Sequence, residues 1–406
     1  MEIMNDAKKS YILYFWMFLC FFITDSPFAN YAANGYVFKV TAPMILGILY
    51  PAYCMIFKKY TLSRSYTLVT LFIFSMVALS SALGGGGLRM TVAYLGMWLF
   101  GLFFSKTYSF EDFRRAFMNS VIFIAIFSII IYLVLLLFPV SKYMFPTVLY
   151  SNGMTVDLFF TTFRLMSGPV RRNYGMFWEP GTYQAYLNLA LLFLFKEKKC
   201  DFFLPKVIVL VLAIITTFST TGFIVMALIL CYSMLTKSDA LQKSAFKKIS
   251  FVVFMIGVSI IALANADMIA RLVFDKMEAG NNSYDSRMLS ILGNLIVTLK
   301  YPFLGAGYGN SAQVLNQLVE STSGFIHQTN TFTNYFATFG IFIGGLFIFF
   351  WMKISSALSK NLMENIFTIV ILTLITSGEN FLSSFAFILF LIYGFRLSKL
   401  DNWFKL

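Results

Sequence analysis

Long runs of apolar residues, separated by shorter polar or charged segments, dominate this chain. Most runs are close to the roughly 20 residues that an α-helix needs to cross a bilayer. The predicted spans are 10–26, 40–57, 66–83, 91–105, 118–138, 181–195, two spans within 204–235, 249–265, 331–352, 362–378 and 380–397. The pattern predicts an all-α polytopic integral membrane protein with about twelve transmembrane helices.

The run 204–235 is too long for one crossing, and Ser219-Thr220-Thr221-Gly222 interrupts it near the middle. It therefore predicts a tight hairpin of two spans. Two longer segments, 139–180 and 265–330, are predicted as large outer loops. The second contains two stretches with apolar residues at helical spacing, 269–277 and 288–299, which we expect to lie in the membrane interface or against the bundle. One membrane domain, 1–406, accounts for the whole chain.

Composition excludes an ordinary soluble domain, because 59% of the residues are hydrophobic, 12% are charged and the mean hydropathy is +0.77. The net charge of +13 follows from topology, since 21 of the 31 Lys and Arg residues fall in segments that are cytoplasmic when the N-terminus is inside. Both termini are then cytoplasmic. A nucleic-acid partner is not needed to explain the basic charge.

Charged residues gather where the first outer loop meets the sixth span. Arg164, Arg171 and Arg172 are followed by Tyr174 and then by Glu179, which precedes a proline that starts the span. The arginines can bind an anionic substrate, or they can hold lipid head groups at the interface. Glu179 can act as a base, or it can be a structural carboxylate at a helix start, where the helix dipole favours negative charge.

The second outer loop contains His327, the only histidine in the chain, three residues before Asn330. His327 can be an interfacial bystander, a general base or a hydrogen-bond donor to a polar substrate. No metal is expected, because the neighbouring carboxylates are not at ligand spacing. Arg287 precedes a glycine-rich segment around Gly305, which predicts either a plain turn or a backbone that approaches a phosphate.

The topology places these groups on one outer face, together with an arginine and a carboxylate from two short turns. The predicted set is His327 and Glu179 as catalytic candidates, with Arg164, Arg171, Arg172, Arg287, Arg89, Tyr174, Asn330 and Glu379 as substrate or diphosphate contacts. Arginines can neutralise a leaving diphosphate, a base can deprotonate a sugar hydroxyl, and aromatic rings can stack on sugars. The inventory suits a lipid-linked diphosphate and a sugar, without a cofactor.

The arrangement resembles the bacterial O-antigen polymerase (Wzy) family, which is related to the O-antigen ligases (WaaL). Ten residues separate Arg164 from Gly175, as in the family's Arg-x10-Gly pattern, whereas seventeen separate Arg287 from Gly305. The run Phe-Trp-Glu-Pro-Gly at 177–181 also looks like the segment that enters a span in these polymerases. His327, followed by a glycine-rich span, resembles the family's loop histidine, with Gln328 in place of the usual adjacent asparagine.

The resemblance implies a C-type glycosyltransferase membrane fold in the bacterial inner membrane, with 139–180 and 265–330 as periplasmic loops and the active site facing the periplasm. It implies polymerisation of undecaprenyl-diphosphate-linked repeat units, with inversion, without a metal and with release of undecaprenyl diphosphate. In this interpretation the arginines bind the two diphosphates, and His327 is narrowly preferred over Glu179 as the base. A chain-length regulator is left open as a protein partner.

Three other interpretations remain. An O-antigen ligase would pass the glycan to a lipid A core, and a capsule or exopolysaccharide polymerase would use the same chemistry for another product. A polysaccharide flippase or transporter would also have twelve spans, but we expect it to carry ionisable groups near the bilayer centre. Nearly all charges of this chain lie at the ends of predicted spans, which disfavours a transporter.

The topology predicts which loops a membrane-impermeant thiol reagent can reach. In a chain with its own cysteines removed, single cysteines at Asn152 and Asn282 should be labelled from outside, and one at Ala240 only after the membrane is opened. The reason is the distribution of basic residues between inner segments and short outer turns. Labelling of Ala240 in intact cells would overturn the topology.

Overall fold

A computed structural model of the protein describes residues 2–31, 35–85, 87–138, 147–149, 155–159, 161–163, 172–197, 201–235, 282–319 and 328–398. This part is mostly helical. The helices are α1 Glu2–Asp25, α2 Pro27–Tyr31, α3 Gly35–Phe57, α4 Arg64–Leu83, α5 Leu88–Thr107, α6 Phe110–Leu137, α7 Pro180–Lys196, α8 Phe203–Thr216, α9 Thr220–Leu235, α10 Asn282–Lys300, α11 Ser311–Val319, α12 Thr331–Ala357, α13 Leu362–Ser377 and α14 Phe385–Leu397.

Six helical segments in the described part are long and apolar enough to cross a membrane. They are Ser10–Asn30, Gly35–Phe57, Arg64–Leu83, Leu88–Thr107, Phe110–Leu137 and Thr331–Ala357. Shorter apolar helices cover Phe203–Thr216, Thr220–Ser233, Leu362–Ser377 and Phe385–Leu397. These helices are those of a membrane-embedded polytopic protein; the number of crossings, the sidedness and the single domain stay predictions.

A break in the run 204–235 is confirmed, because α8 ends at Thr216 and α9 begins at Thr220. It lies at 217–219, so of the predicted interruption only Ser219 is in the break, and Thr220, Thr221 and Gly222 are helical. The second amphipathic stretch of the outer loop, 288–299, is helical and lies within α10. The predicted span 249–265 and the stretch 269–277 lie outside the described residues.

A small antiparallel sheet lies in the first predicted outer loop, and the apolar pattern did not predict it. Its strands are β1 Thr147–Leu149, β2 Thr155–Phe159 and β3 Thr161–Phe163, in the order β1-β2-β3. Asp157 pairs with Thr147 on one side and with Phe163 on the other. Threonine, valine and phenylalanine favour strands, but runs of three to five residues are too short to stand out by periodicity.

Contacts between Cα atoms group the chain into two compact units. Unit 1 comprises 1–18, 26–33 and 114–285, and unit 2 comprises 19–25, 34–113 and 286–406. Among the described residues, each unit contains a helix that is buried on all sides. These are α7 in unit 1, buried from Pro180 to Phe195, and α14 in unit 2, buried from Phe385 to Phe395. A helix that is apolar or buried all round forms the centre of its bundle.

A buried ion pair joins α6 and α7 in unit 1. Arg114 Nη2 lies 2.8 Å from Glu197 Oε2, and Arg115 Nη2 lies 3.0 Å from Glu197 Oε1. The side chains of Arg114 and Glu197 are 7% and 5% exposed, whereas that of Arg115 is 56% exposed. The contact brings the start of α6 to the end of α7, so both lie at one end of the bundle.

Close backbone packing joins α3 and α5 in unit 2. A β-carbon on Gly47 would overlap the backbone of Gly96, and one on Gly96 would lie 2.6 Å from the carbonyl oxygen of Pro43. Small residues of this kind let apolar helices approach each other closely. On its other side, α5 places the fully buried Trp98 against Phe347 and Phe395, with ring centroids 5.8 and 6.1 Å away.

Helix α12 is kinked at Gly340, whose φ of 74° and ψ of −179° are not helical. The Ile341 amide donates to Pro302 O, at 2.8 Å, instead of to a carbonyl one turn back in α12. A β-carbon on Gly340 would overlap Phe303 O, so both the backbone conformation and the space require glycine. Such a kink needs outside partners for the carbonyls that it frees.

The N-terminus of α14 is capped by residues of another helix. The Phe385 amide donates to Thr24 Oγ1 at 2.9 Å, and the Ser384 hydroxyl donates to Asp25 Oδ2 at 2.9 Å. Asp25 is only 3% exposed and also accepts a bond from the Thr24 hydroxyl, at 2.7 Å. The carboxylate therefore lies beside the positive end of α14, where the helix dipole stabilises it.

The ion pair predicts an unequal response of its members to mutation. Glu197→Gln removes the negative charge that pairs with the buried Arg114 guanidinium, so we expect the free energy of unfolding to fall by about 3–5 kcal/mol. Arg115→Gln removes a mostly exposed partner and should cost less than about 1 kcal/mol. Thermal unfolding of the purified protein in detergent measures both. Equal losses for the two variants would contradict the buried pair.

Candidate functional site

The predicted site residues fall into three groups. Arg164, Arg171 and His327 lie outside the described residues. Arg172, Tyr174 and Glu179 belong to unit 1, and Arg89, Arg287, Asn330 and Glu379 belong to unit 2. Each unit therefore contains its own group of predicted site residues.

In unit 1, the chain from Arg172 to Glu179 is folded against the turn between α8 and α9. Arg172 Nε donates to the carbonyl oxygen of Thr217 at 2.8 Å. The backbone N–H of Asn173 donates to the carbonyl oxygen of Thr216, also at 2.8 Å. These carbonyls lie at the end of α8, where no further helical turn supplies donors. The arginine is thus fixed beside the hairpin, and its guanidinium cannot swing freely.

Asn173 is the centre of this polar group, and the sequence analysis missed it. Its side chain is fully buried and its Nδ2 donates to Ser128 Oγ at 3.1 Å and to Thr216 Oγ1 at 3.0 Å. Its Oδ1 accepts the Gly175 amide at 2.9 Å. The position directly after two arginines in a loop was the available signal, because asparagine there commonly bonds the backbone two residues on.

Gly175, the glycine of the Arg-x10-Gly pattern, lies flat on the ring of Tyr183. Its φ is 55°, and a β-carbon there would lie 2.8–2.9 Å from three ring carbons. The Tyr183 hydroxyl shares a 2.7 Å hydrogen bond with Ser128 Oγ. Both the left-handed backbone and the ring contact therefore require glycine, which gives this half of the pattern a structural reason.

The segment ends at Glu179, directly before the first residue of α7. Tyr174 and Phe177 are buried, and the Phe177 ring stacks on Tyr186 with centroids 4.4 Å apart. Glu179 is partly exposed, its backbone is extended, and its carboxylate makes no capping hydrogen bond to α7. It remains next to the positive end of the helix, so both of its predicted roles stay open.

A line of buried polar side chains continues from Glu179 into α7. Thr182, Gln184 and Asn188 are at most 1% exposed. Asn188 Nδ2 donates to Gln184 Oε1 at 3.0 Å and to Gly222 O, at the start of α9, at 3.2 Å. The Asn188 Oδ1 and Thr182 Oγ1 atoms have no hydrogen-bond partner in the part of the chain that the structure describes. Polar residues within an apolar helix were visible in the sequence, and of these Gln184 and Asn188, one turn apart, lie on the same side of α7.

In unit 2, α10 fixes the start of the segment that follows His327. Ser290 Oγ accepts the Thr329 amide at 3.0 Å, and Asn294 Oδ1 accepts Gln328 Nε2 at 3.2 Å. Arg287 lies one turn before Ser290 on α10 and is partly exposed. The helix therefore brings Arg287 to the same end as 328–330, which agrees with their predicted placement on one face.

Asn330 and Glu379 meet through the backbone around Thr331. The Thr331 hydroxyl donates to Glu379 O at 2.7 Å and accepts the Phe381 amide at 3.0 Å. Asn330 Oδ1 accepts the Thr333 amide at 2.9 Å, which makes Asn330 the N-cap of α12. Glu379 is 6% exposed. Asn330 thus has a structural task that its predicted role as a substrate contact did not include.

Arg89 is exposed at the second position of α5. The turn before Arg89 packs against the glycine-rich loop around Gly305. A β-carbon on Gly84 would overlap Ala306 O, and Asn310 Nδ2 donates a hydrogen bond to Gly84 O. The loop amides are used inside the protein, since Ala306 and Gly307 donate to Ala337 O and Thr338 O at 2.8 and 3.1 Å. The loop is therefore a support for the kink of α12, and its phosphate interpretation is wrong for these two amides.

The same loop presents Tyr308 to the core of unit 2. Its ring stacks on Phe339 with centroids 5.9 Å apart, and its amide donates to Ser81 Oγ at 3.3 Å. Burial raises the pKa of the Tyr308 hydroxyl well above its usual value, although a hydrogen bond with Ser383 opposes the shift. Tyr308 therefore stays a neutral hydrogen-bonding group and cannot serve as a base.

No protein-family model matches this chain, and a search of the curated proteins finds no match. Among the described residues, no three His, Cys, Asp or Glu side chains form a group that could hold a metal ion. The chemistry of the candidate site is therefore inferred from the geometry of its own residues. Both helices that are buried on all sides begin beside a predicted carboxylate, α7 directly after Glu179 and α14 shortly after Glu379.

Gly175→Ala tests the fold of the Arg172–Glu179 segment. The new methyl group would meet the Tyr183 ring in a backbone conformation that alanine disfavours, so we expect a loss of about 1–3 kcal/mol in stability. Gly345→Ala is the matched control, because a β-carbon there meets nothing within 4 Å. It should be neutral or slightly stabilising. Thermal unfolding measures both, and an undisturbed Gly175→Ala would show that this segment is not packed on Tyr183.

Proposed function

We propose that this protein is a membrane glycosyltransferase that polymerises undecaprenyl-diphosphate-linked repeat units at the outer face of a bacterial inner membrane. The observation that carries the proposal is the segment 172–179. A fixed arginine begins it, a partly exposed carboxylate ends it, and the residues between them are mostly buried. The segment leads directly into the central helix of unit 1.

An anchored arginine suits a leaving diphosphate better than a mobile one. Arg172 is fixed by its Nε on Thr217 O, so its position is set before a substrate arrives. Preorganised positive charge stabilises the developing charge on a leaving group without reorganisation during the reaction. Arg164 and Arg171 precede it in the same loop and are proposed to share this task, with Arg287 from the other loop.

In the proposed reaction, a hydroxyl of the acceptor repeat attacks the anomeric carbon of the donor glycan. A glycosidic C–O bond forms, and the bond from the anomeric carbon to the diphosphate oxygen breaks. The electron pair leaves on undecaprenyl diphosphate, and the anomeric centre inverts. The hydroxyl proton passes to a base, for which His327 and Glu179 are the candidates. No cofactor takes part, because the diphosphate already activates the donor.

The buried polar side chains of α7 support this site. Asn188 Oδ1 and Thr182 Oγ1 lie along the helix that starts directly after Glu179, and neither has a hydrogen-bond partner among the described residues. Groups of this kind are costly in an apolar bundle, so they favour a polar function for α7 over a purely structural one. A ligase or a capsule polymerase would use the same groups with another acceptor.

A transporter is the second candidate, and Asp25 is the observation that favours it. This carboxylate is 3% exposed within an apolar segment, and it interacts electrostatically with Lys39 on α3. Ionisable groups at such positions are common in ion and proton pathways. Its hydrogen bonds to Thr24 and Ser384 explain Asp25 equally well as a cap of α14, so the polymerase remains the proposed function.

Deletion of the gene should leave lipopolysaccharide with a single repeat unit on its core, because ligation continues when polymerisation stops. Restoring the gene with Arg172→Lys should shorten the polymer sharply, since lysine cannot reproduce the planar contacts of a guanidinium. Glu179→Gln should abolish the polymer if the carboxylate is the base, and His327→Ala should do so if the imidazole is. The measurement is the ladder of glycan lengths on a gel, at matched membrane levels.

Two substitutions away from the proposed site serve as controls. Lys247→Gln removes a charge that the sequence assigns to a cytoplasmic loop, and Glu111→Gln removes an exposed carboxylate at the start of α6. Both should give a normal ladder. A core without any repeats after deletion would favour a ligase or a transporter. A normal ladder from Arg172→Lys, Glu179→Gln and His327→Ala together would show that the proposed site is wrong.

A further inference from the structure

A cavity of about 450 Å³ lies in unit 2, where α3 ends, α4 begins and the second half of α5 passes between them. Its polar lining comes from Lys59, Tyr60, Thr61 and Thr67, and its apolar lining includes Phe103. The volume falls within the range of about 300–1,000 Å³ that is usual for small-molecule sites. The sequence places these helix ends on the cytoplasmic side, and none of the predicted site residues lines the cavity.

Positive charge converges on this cavity. Lys58 Nζ and Lys106 Nζ lie 5.9 and 5.7 Å from the centre of the Tyr60 ring, and Lys106 Nζ also donates to Thr61 O. Lys59 contributes to the wall itself, and no carboxylate is among the lining residues. An anion is therefore the ligand that the charges favour.

The backbone at Lys59 is strained, which supports a role for its side chain. The Tyr60 and Lys58 amides both donate to Cys54 O at 3.1 Å and close the end of α3, with Lys59 in the left-handed region at a φ of 53°. Glycine is the usual residue at this position of a helix end because other residues pay a conformational cost there.

The surroundings of the cavity determine what kind of anion fits. On α3, apolar side chains such as Ile48, Ile56 and Phe57 are 68–72% exposed, and the cavity lies at the end of this exposed apolar surface. Met55 and Leu62 extend the apolar surface into the cavity wall. An occupant must therefore combine an anionic head with apolar chains, which is the chemistry of an anionic phospholipid.

We infer that this cavity binds the head group of an anionic phospholipid from the cytoplasmic leaflet. Its phosphate lies among Lys58, Lys59 and Lys106, and its acyl chains follow the apolar surface of α3. The Thr61 hydroxyl lies in the cavity wall and can bond a phosphate or glycerol oxygen, whereas the Thr67 hydroxyl donates to Ser63 O at 3.0 Å. The inferred site is independent of the proposed catalysis, so a measurement of lipid binding alone tests it.

Native mass spectrometry of the purified full-length protein tests the inference with added phosphatidylglycerol. Phosphatidylcholine with the same acyl chains is the comparison with a zwitterionic head group of zero net charge, and glycerol 3-phosphate is the soluble comparison. We expect the first phosphatidylglycerol molecule that binds to have a higher affinity than phosphatidylcholine or glycerol 3-phosphate. Lys59→Gly should weaken its binding about fivefold, since one basic residue is lost from the membrane surface. The unfolding temperature without added lipid should stay unchanged or rise, because glycine relieves the strain.

Lys353→Gln is the matched control, since Lys353 is a predicted cytoplasmic lysine of unit 2 that lies over Phe349 and does not line the cavity. It should leave the affinity unchanged. An equal loss with Lys353→Gln would show binding to general surface charge and overturn the inference. Equal binding of phosphatidylcholine, or glycerol 3-phosphate binding as tightly as the lipid, would also overturn it. A Lys59→Gly protein that keeps full affinity, or that loses stability, would show that Lys59 serves the fold and not a lipid.

Discussion

Every end or break of a helix in an apolar bundle leaves backbone N–H and C=O groups that lipid cannot hydrogen-bond. This constraint governs most of the described structure, because several helices are short. Helix α14 has 13 residues and α8 has 14. At 1.5 Å per residue they extend for about 20 Å, which is less than the roughly 30 Å hydrocarbon core. Their ends must therefore find partners inside the protein.

The partners come from distant parts of the chain. Thr24 caps α14, Arg172 and Asn173 bond the last carbonyls of α8, and the loop after α10 bonds the carbonyls freed by the kink of α12. In each case a polar side chain or an irregular backbone segment is fixed next to an apolar helix. The polar groups that bond the helix ends are thus held in fixed positions within an apolar protein. A binding or catalytic site can be built from such groups.

Several predicted site residues consequently have a structural task as well. Asn330 caps α12, and Arg172 holds the hairpin turn. These tasks do not compete with substrate binding, because a catalytic group has to be held in place to be effective. They do change how a variant is interpreted, since a substitution can act through the fold. Replacements that keep size and hydrogen bonding, such as Glu179→Gln, are therefore more informative than truncation to alanine.

The position of the predicted carboxylates gives the proposal its structural interest. Glu179 and Glu379 lie on different units, and each stands close to the start of the helix that is buried on all sides in its unit. Hydropathy along the sequence does not distinguish α7 or α14 from the helices that have exposed apolar side chains. Burial on all sides is a property of the packing, and the sequence pattern does not show it.

The sequence by itself determined the membrane class, most helix positions and the break between α8 and α9, because apolar runs and their interruptions are local properties. It also placed Arg172, Tyr174 and Glu179 at the start of one helix. It could not identify Asn173, Ser128 and Tyr183 as one group, because they come from different elements. The short sheet at 147–163 was missed because strands of three to five residues carry too little periodicity.

Only the tertiary structure decided the use of each polar group. The amides of Ala306 and Gly307 look available in the sequence, but the kink at Gly340 exposes carbonyls that take both of them. Lys59 is one lysine among many on the predicted inner side, and only its backbone conformation and the cavity beside it set it apart. Hydrogen bonds and packing contacts join pairs of residues that are far apart in the chain. The sequence pattern therefore indicates candidate residues, but only the fold shows which groups they contact.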